Sequence, residues 1–457
     1  MTQPTGSNAI SLPVAQPQSA EQEKTAAGGY FVSNYPPFSF WSADDLPSAH
    51  DRLALPPASG TELGLYVHIP FCRKRCHFCY FRVYTDKNAA DIRGYLNAVA
   101  READLYAAAP FARDRTPDFV YFGGGTPSYL SMEQLRELWS LLNQRFPLSS
   151  AREVAFEAEP GTLNEKKVHA LAELGITRLS LGVENFDDHV LESNGRAHLS
   201  KQVMQAWDWV HAAGFAQVNI DLIAGMLNET DENWTRCVEQ TVALAPDSVT
   251  IYQMEVPFNT TIYKGMKQRG ELTAPVADWP TKRRWVGEAF AALEAAGYTV
   301  TSAYTAVRDP ARTQFVYRDS LWRGADLVSL GVASFGHLGG VHVQNEAHWD
   351  PYLERLERGE LPLARARVMR GEEPLIRELI LQFKLGRVSS DYFRSKFGQQ
   401  IARRFAPQIH GLVDRGDAAW ADAPGESDLL LSREALLRVD ALLPAFYLPE
   451  HGGPAHV

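Results

Sequence analysis

From residue 63 onward the chain alternates short apolar runs with longer stretches of mixed character. The apolar runs are LGLYVHIP (63–70), DFVYFGGG (118–125), EVAFEAEP (153–160), TRLSLGVE (177–184), QVNIDLIAG (217–225) and SVTIYQMEV (248–256). Such runs suit buried strands. Between them, AADIRGYLNAVAREADLYAA (89–108), SMEQLRELWSLLNQRF (131–146), NEKKVHALAELG (164–175) and SKQVMQAWDWVHAAG (200–214) carry apolar residues at helical spacing. Ser131 reads as a helix N-cap with a glutamate soon after, and Gly175 and Gly214 stand where helices end. Strand–helix alternation repeated about six times predicts a parallel sheet with right-handed crossovers, either doubly wound or a partial barrel. In both, chemistry belongs at the C-terminal ends of the strands.

Outside this region the pattern changes. Residues 1–28 are rich in Ser, Gln, Ala and Pro and read as a disordered tail. GGYFVSNYPPFSFW (Gly28 to Trp41) is densely aromatic and predicts an ordered arm; DLPSAHDRLALPPASGTE then reads as a linker, so residues 29–60 form arm and linker. The α/β region spans 61–345. Residues 346–450 form a separate, mainly helical C-terminal domain with a small hairpin around Ala418 to Leu431, and 451–457 a tail.

The 457 residues carry a formal charge of -10, which leaves no nucleic-acid footprint. A local basic pocket for an acidic substrate remains compatible with that balance. No stretch approaches the roughly 20 apolar residues of a membrane helix, and the N-terminus lacks the pattern of a secretory signal. The expected location is the cytoplasm. Three of the four cysteines lie within eight residues, a clustering that points to metal rather than to disulfides.

Those three cysteines lie in LYVHIPFCRKRCHFCYF, directly after the first predicted strand. Cys72, Cys76 and Cys79 make a CxxxCxxC pattern. Three thiolates on one loop leave one iron of a cubane open to chelate a small molecule, whereas structural zinc normally takes four protein ligands. Cys237 falls in a predicted helix and reads as a buried structural cysteine; His68 reads as a hydrogen-bonded structural residue.

With Phe78 just before the last cysteine, this signature resembles the radical S-adenosylmethionine superfamily, and the lead-in YVHIPFC resembles its oxygen-independent coproporphyrinogen III oxidase and haem-chaperone branch. The resemblance runs from about Tyr30 to Leu448. It implies a partial (β/α)6 TIM-like barrel with an aromatic N-terminal arm and a helical C-terminal domain. It implies a 4Fe–4S cluster on Cys72, Cys76 and Cys79, and S-adenosylmethionine whose reductive cleavage gives a 5′-deoxyadenosyl radical. By motif match, Tyr66, Phe78, Gly124, Gly125, Thr126, Glu157, Glu184, Arg196 and Asp221 are its S-adenosylmethionine-contacting positions. The implied substrate is a tetrapyrrole, and the implied reductant a flavodoxin or ferredoxin.

Three departures from the family pattern bear on function. The family's GVQ motif is GVE here, so Glu184 offers only acceptors and would repel the carboxylate of a second S-adenosylmethionine, which the oxidase resemblance otherwise implies. The chaperone's HNxxYW motif is replaced by Tyr317-Arg318-Asp319-Ser320-Leu321-Trp322, without the histidine, although His337 and His342 lie nearby in sequence. The oxidase's usual fourth cysteine is Phe81. The leading expectation is therefore radical oxidative decarboxylation of a porphyrinogen propionate. The alternatives are a related radical methyltransferase or cyclopropane-forming enzyme, and a haem chaperone.

Overall fold

A computed structural model describes residues 24–26, 28 and 31–452. The expected tail at 1–23 and the last residues, 453–457, lie outside them. Six strands follow the six apolar runs: β1 (Leu63–Ile69), β2 (Phe119–Gly124), β3 (Glu153–Ala158), β4 (Arg178–Glu184), β5 (Gln217–Ala224) and β6 (Ser248–Gln253). They pair in parallel and in sequence order. Helices Ala89–Ala108, Met132–Asn143, Glu165–Glu173, Ser200–Ala213 and Asp231–Leu244 make the crossovers. Alternate side chains of each strand face these helices: Leu65 and Val67, Val120 and Phe122, Leu179 and Leu181, Ile220 and Leu222 are at most 3% exposed and share one core. Each such side chain stabilises the fold by about 1.5–3 kcal/mol.

The sheet is wider than the strand rhythm predicts. β7 (Thr299–Val300), β8 (Thr305–Val307), β9 (Asp326–Leu330), β10 (Phe335–Leu338), β11 (Val341–Asn345) and β12 (Leu363–Val368) extend it, in the order β12-β11-β10-β9-β1-β2-β3-β4-β5-β6-β8-β7. β9 runs parallel to β1, and the outer strands on both flanks are antiparallel. The sheet does not close on itself, so the arrangement is a partial barrel; Ser42 pairs with Ala366 at the outer edge of β12.

Several boundaries move. β12 pairs with β11, so the sheet continues past residue 345 and the C-terminal unit starts near Glu373. The expected linker contains a helix, Leu46–Leu53, with Pro47 in its first turn, where the missing N–H costs no hydrogen bond. Its Ala49 and Leu53 reach the main core. The expected disorder ends before residue 28: Thr25 is buried, donates to the Ala277 carbonyl at 2.8 Å and accepts from Lys282 Nζ at 2.6 Å. The Ser131 cap closes with Gln134, the residue after the glutamate.

The C-terminal unit packs helices Glu373–Phe383, Ser390–Phe397 and Ala406–Asp414 against a three-stranded sheet of β13 (Arg387–Val388), β14 (Ala418–Trp420) and β15 (Leu429–Leu431). The expected hairpin is β14 with β15. This second core includes Leu379, Ile380, Phe393, Ile409 and Phe446, and also Tyr35 from the arm, which is fully buried. The arm is thus an inserted part of that unit.

Candidate active site at the cysteine loop

The loop after β1 is stapled at both ends. Cys72 N–H donates to the Tyr84 carbonyl at 3.1 Å, and Tyr84 N–H to the Pro70 carbonyl at 2.7 Å. In its middle, His77 N–H donates to the Asn194 carbonyl at 2.9 Å. These ties hold Cys72, Cys76 and Cys79, all free thiols, on the wall of one cavity of about 870 Å³. Thr126 Oγ1 lies 3.4 Å from Cys72 Sγ, and Arg196 Nη1 lies 3.3 Å from Cys76 Sγ. Phe78 lines the same wall and packs on Val190, Ile223, Met226 and Met254.

The floor is the inward row of the strands. Period-two alternation places Ala155 and Glu157 of β3, Ser180, Gly182 and Glu184 of β4, Asn219 and Asp221 of β5 and Thr250 and Tyr252 of β6 on the cavity. Each carboxylate is held. Glu157 accepts from Tyr121 hydroxyl at 2.6 Å and from Gly124 N–H at 3.2 Å. Asp221 accepts from Ser180 hydroxyl at 2.6 Å and Asn219 Nδ2 at 2.9 Å. Glu184 pairs with Arg196 at 3.5 Å. A β4–β5 register shift falls between Gly182 and Glu184, and Glu184 has φ of 64°. That conformation costs a residue with a Cβ about 1–3 kcal/mol. Gly124 (φ 110°) is restricted differently: a Cβ there would meet the His68 ring at 2.4 Å.

Burial dominates the electrostatics. It pushes Glu157 and Glu184 up to about 7, the former reinforced by Asp221 and opposed by Tyr121, the latter opposed by Arg196 and reinforced by Asp221. It also raises Asp221. Burial pushes the Cys72 thiol up to about 12 and Cys79 to about 11. These thiols therefore need a strong cation to become thiolates. For Arg196, burial opposes the charge, but Cys76, Glu184 and Glu159 outweigh it and raise its pKa.

The residues fit an iron–sulfur cluster. Three thiol donors on one loop, facing an open cavity, match a cubane with one iron free for a ligand. Arg196 Nε, buried beside them, has no hydrogen-bond partner among the described residues. Gly125 lets the backbone pass close behind: a Cβ there would lie 2.9 Å from the Ile69 carbonyl oxygen.

Of the sequence-derived positions, Cys72, Cys76, Cys79, Phe78, Gly124, Gly125, Thr126, Glu157, Glu184, Arg196 and Asp221 all line the cavity. Tyr66 does not. Its hydroxyl is 3.2 Å from His68 Nδ1 and its ring stacks on Tyr121 at 5.9 Å, so it backs the residue that holds Glu157. Cys237 is buried in the helix Asp231–Leu244. His337 and His342 are buried against each other, Nδ1 to Nδ1 at 3.1 Å, and His342 Nε2 faces the Tyr35 carbonyl at 3.0 Å; neither lines the cavity. Sequence reading missed Arg178, Arg283 and Tyr304 and the roof residues Arg438, Asp440 and His451. Only Arg178 carried a signal, a charge two residues before Ser180 on the inward row of a strand.

The roof is built from both termini of the fold. Asp440 accepts from Val32 N–H at 2.8 Å and pairs with Lys384 Nζ at 2.8 Å. Tyr304 hydroxyl also donates to it. Tyr35 hydroxyl accepts from Leu448 N–H at 3.1 Å and lies 2.8 Å from His451 Nδ1.

Comparisons with known proteins agree with this geometry. Residues 66–240 match the model of the radical SAM superfamily. The chain is 28% identical over 409 residues to the oxygen-independent coproporphyrinogen III oxidase of Synechocystis sp., covering 84% of this chain and 86% of that protein. It is 32% identical over 312 residues to the heme chaperone HemW of Mycobacterium tuberculosis, covering 68% of this chain and 78% of the relative. The fold matches the solved coproporphyrinogen III oxidase (HemN) from Escherichia coli with a TM-score of 0.78 at 23% identity, over 93% of this chain and 99% of the other. The chain belongs to the radical SAM superfamily, in the branch that holds these oxidases and chaperones. It is a radical SAM enzyme similar in sequence to oxygen-independent coproporphyrinogen III oxidase. Among the described residues no helix is long and apolar enough to cross a membrane.

Proposed function

We propose that Cys72, Cys76 and Cys79 hold a 4Fe–4S cluster and that S-adenosylmethionine occupies the adjoining floor of the cavity. When bound, the cluster supplies the electron that cleaves S-adenosylmethionine to a 5′-deoxyadenosyl radical, which removes a hydrogen atom from the substrate. The single observation that carries this reading is the convergence of three thiols and the polar strand row on one cavity. Gly124, Gly125 and Thr126 offer close backbone approach and a hydroxyl to the methionine end. Arg196, with an unused Nε–H, orients its carboxylate. Glu157, Glu184 and Asp221 accept from amino and ribose donors, and Phe78 supplies an apolar face. Tyr66 acts from behind, through Tyr121.

The substrate in this reading is a tetrapyrrole, and the reaction oxidative decarboxylation of a propionate. Support comes from the similarity to the Synechocystis oxidase across most of both chains and from the size of the cavity. The roof of arm and C-terminal residues excludes water from a radical site. The work of the protein is to bind, orient and shield while the cofactor supplies the reactivity. A small acidic or iron–sulfur electron carrier in the cytoplasm would be the reductant.

The chaperone reading rests on the HemW relatives. Against it, the segment Tyr317–Trp322 has no histidine, His337 and His342 do not line the cavity, and His451 on the cavity wall is engaged by Tyr35 and Glu373. The deciding experiment combines two anaerobic measurements on reconstituted protein: product analysis with coproporphyrinogen III, and haem titration. Vinyl product with weak, non-stoichiometric haem binding is expected. A saturable one-to-one haem complex without turnover overturns the enzyme reading in favour of the chaperone; a methylated or cyclopropanated product reassigns the reaction.

A further inference from the structure

A second, smaller cavity lies at the base of the barrel, at the opposite end of the strands from the cysteine loop. Arg178, Gln217 and Ser248 begin β4, β5 and β6. Residues 301–319 fold across these strand starts, with Val307 of β8 opposite Ser248. The space between has a volume of about 130 Å³, and its walls include Arg178, Ser248, Thr305, Thr313, Phe315 and Arg318. Of these six, only Arg178 and Phe315 also reach the large cavity. By volume the space takes roughly four waters or one small oxyanion.

Two guanidinium groups converge on it. Arg178 Cζ lies 4.5 Å and Arg318 Cζ 5.7 Å from the centroid of the Phe315 ring, and the two like charges oppose each other. Arg318 has a carboxylate of its own, since Asp319 accepts from its Nε at 2.8 Å. Arg178 pairs with no carboxylate among the described residues. It is 2% exposed, and its side chain donates to neutral oxygens, Gln217 Oε1 at 3.1 Å and Ser248 Oγ at 3.2 Å. Glu153 and Asp221 act on it only from further off. The Glu153 oxygens accept from Val316 N–H at 3.1 Å and Tyr317 N–H at 2.9 Å, and those of Asp221 from Ser180 and Asn219. A guanidinium does not give up its proton, so a buried one without a paired charge is costly. An anion in the adjoining space removes that cost.

We propose that the base cavity is a site for a small dianionic oxyanion, phosphate or sulfate, held between Arg178 and Arg318. Planar guanidinium groups match the oxygens of such an anion in pairs, and Thr305 and Thr313 add hydroxyls. Exposed Pro310 and Gln314 form the rim through which it enters. The chemistry of a β/α barrel sits at the other end of its strands. This anion therefore serves the fold, fastening residues 301–319 to the strand starts.

The test is a phosphate titration of the full chain, followed by calorimetry at constant ionic strength, with the melting temperature as a second readout. Saturable binding is expected in the wild type, with a melting temperature that rises with phosphate concentration. Sulfate should bind alike. Arg318→Gln should weaken phosphate binding about tenfold, Arg318→Lys should retain part of it, and Thr313→Val, which leaves both cations in place, should weaken it about threefold. Lys74→Gln, a control on the wall of the large cavity, should bind as the wild type does. No saturable binding in the wild type overturns the site, and so does unchanged affinity in Arg318→Gln. Loss of binding in Lys74→Gln overturns it too, by placing the anion in the large cavity. Should Arg318→Gln fail to fold, Thr313→Val decides, and unchanged affinity there overturns the proposal. Glycerol 3-phosphate separates the two sources of such an anion: weaker binding than phosphate supports a free ion, and tighter binding supports the head of a phosphate ester at the same site.

Discussion

Glu184 stands 3.5 Å from Arg196 on the cavity wall, in a left-handed backbone conformation at a strand irregularity. Its carboxyl, pushed up to about 7 by burial, is neutral below that pH and ionised above it. A ligand carboxylate near Arg196 therefore meets a second negative charge only on the alkaline side. S-adenosylmethionine affinity of the wild type should fall by about tenfold between pH 6 and pH 8. In Glu184→Gln the decline should be shallower, the remaining slope coming from Glu157, which burial also pushes up to about 7. Equilibrium dialysis at both pH values checks this, and a parallel decline in the variant would remove the charge argument.

The roof depends on Asp440. Lys384 is fully buried, and Asp440 is its ion-pair partner. Asp440→Asn removes the ion-pair partner of that ammonium and leaves it only the coulombic influence of Glu255, at a cost of about 3 kcal/mol. Because Asp440 also accepts from Val32, the arm should loosen first. A lower melting temperature with faster proteolysis between residues 31 and 41 is the expected result. Lys384→Met, which removes the stranded charge, should recover part of the loss when combined with Asp440→Asn.

Cys76→Ala should leave the fold intact and the cluster absent. Reconstituted wild type should hold about four irons on one cubane. The variant should retain under a quarter of that iron while its far-ultraviolet circular dichroism is unchanged, since the loop is held by backbone bonds at Cys72, His77 and Tyr84 rather than by this thiol. Stoichiometric zinc with no iron in anaerobically purified wild type would contradict the assignment.

A pH effect on stability should come from a different carboxyl. Glu102 is fully buried and accepts from Gly331 N–H at 2.8 Å, Asn345 Nδ2 at 2.6 Å and Tyr352 hydroxyl at 2.7 Å. Burial outweighs these three donors and raises its pKa to about 8. A carboxyl whose folded pKa lies above its unfolded value stabilises the fold when protonated, fully so below the unfolded value near 4.5, and that contribution is lost as pH rises towards 8. Wild type should therefore lose stability over this window, and Glu102→Gln should show a shallower slope in urea unfolding between pH 5 and 8. Glu102→Ala, which strands three donors, should be destabilised by about 3 kcal/mol at pH 5, with a gap to wild type that narrows towards pH 8.

The parallel half of the sheet was legible because strands covered on both faces read as apolar runs, as Leu179, Leu181 and Val183 do in β4. The flanks were not. β7 has two residues and β8 three, too few for a period, and β12, LARARV, hides its pairing behind two arginines. In the site, the cysteines, glycines, Glu157, Glu184 and Asp221 were picked out because each follows or interrupts a run, whereas Arg196, on the loop after the helix Asp188–Ser193, came from the family resemblance. Tyr66 stands apart from these: its ring stacks on Tyr121, which lines the cavity, a relation its place on the strand leaves open. Arg438, Asp440 and His451 reach the cavity only by the docking of a separate unit, and no local pattern encodes that.

That the roof joins Val32 to Asp440 and Tyr35 to Leu448 has a consequence during synthesis. The cysteine loop leaves the ribosome among the first hundred residues, whereas its cover needs residues near the end of the chain. With about 5–20 residues made per second, the nascent protein passes tens of seconds with a folding sheet and an uncovered thiol loop. Machinery that delivers iron and sulfide thus has an open door during translation, and the same interval exposes three thiols to oxidation. A stall before residue 436 would hold the door open, so a ribosome-bound chain halted there should accept a cluster faster than the released protein does.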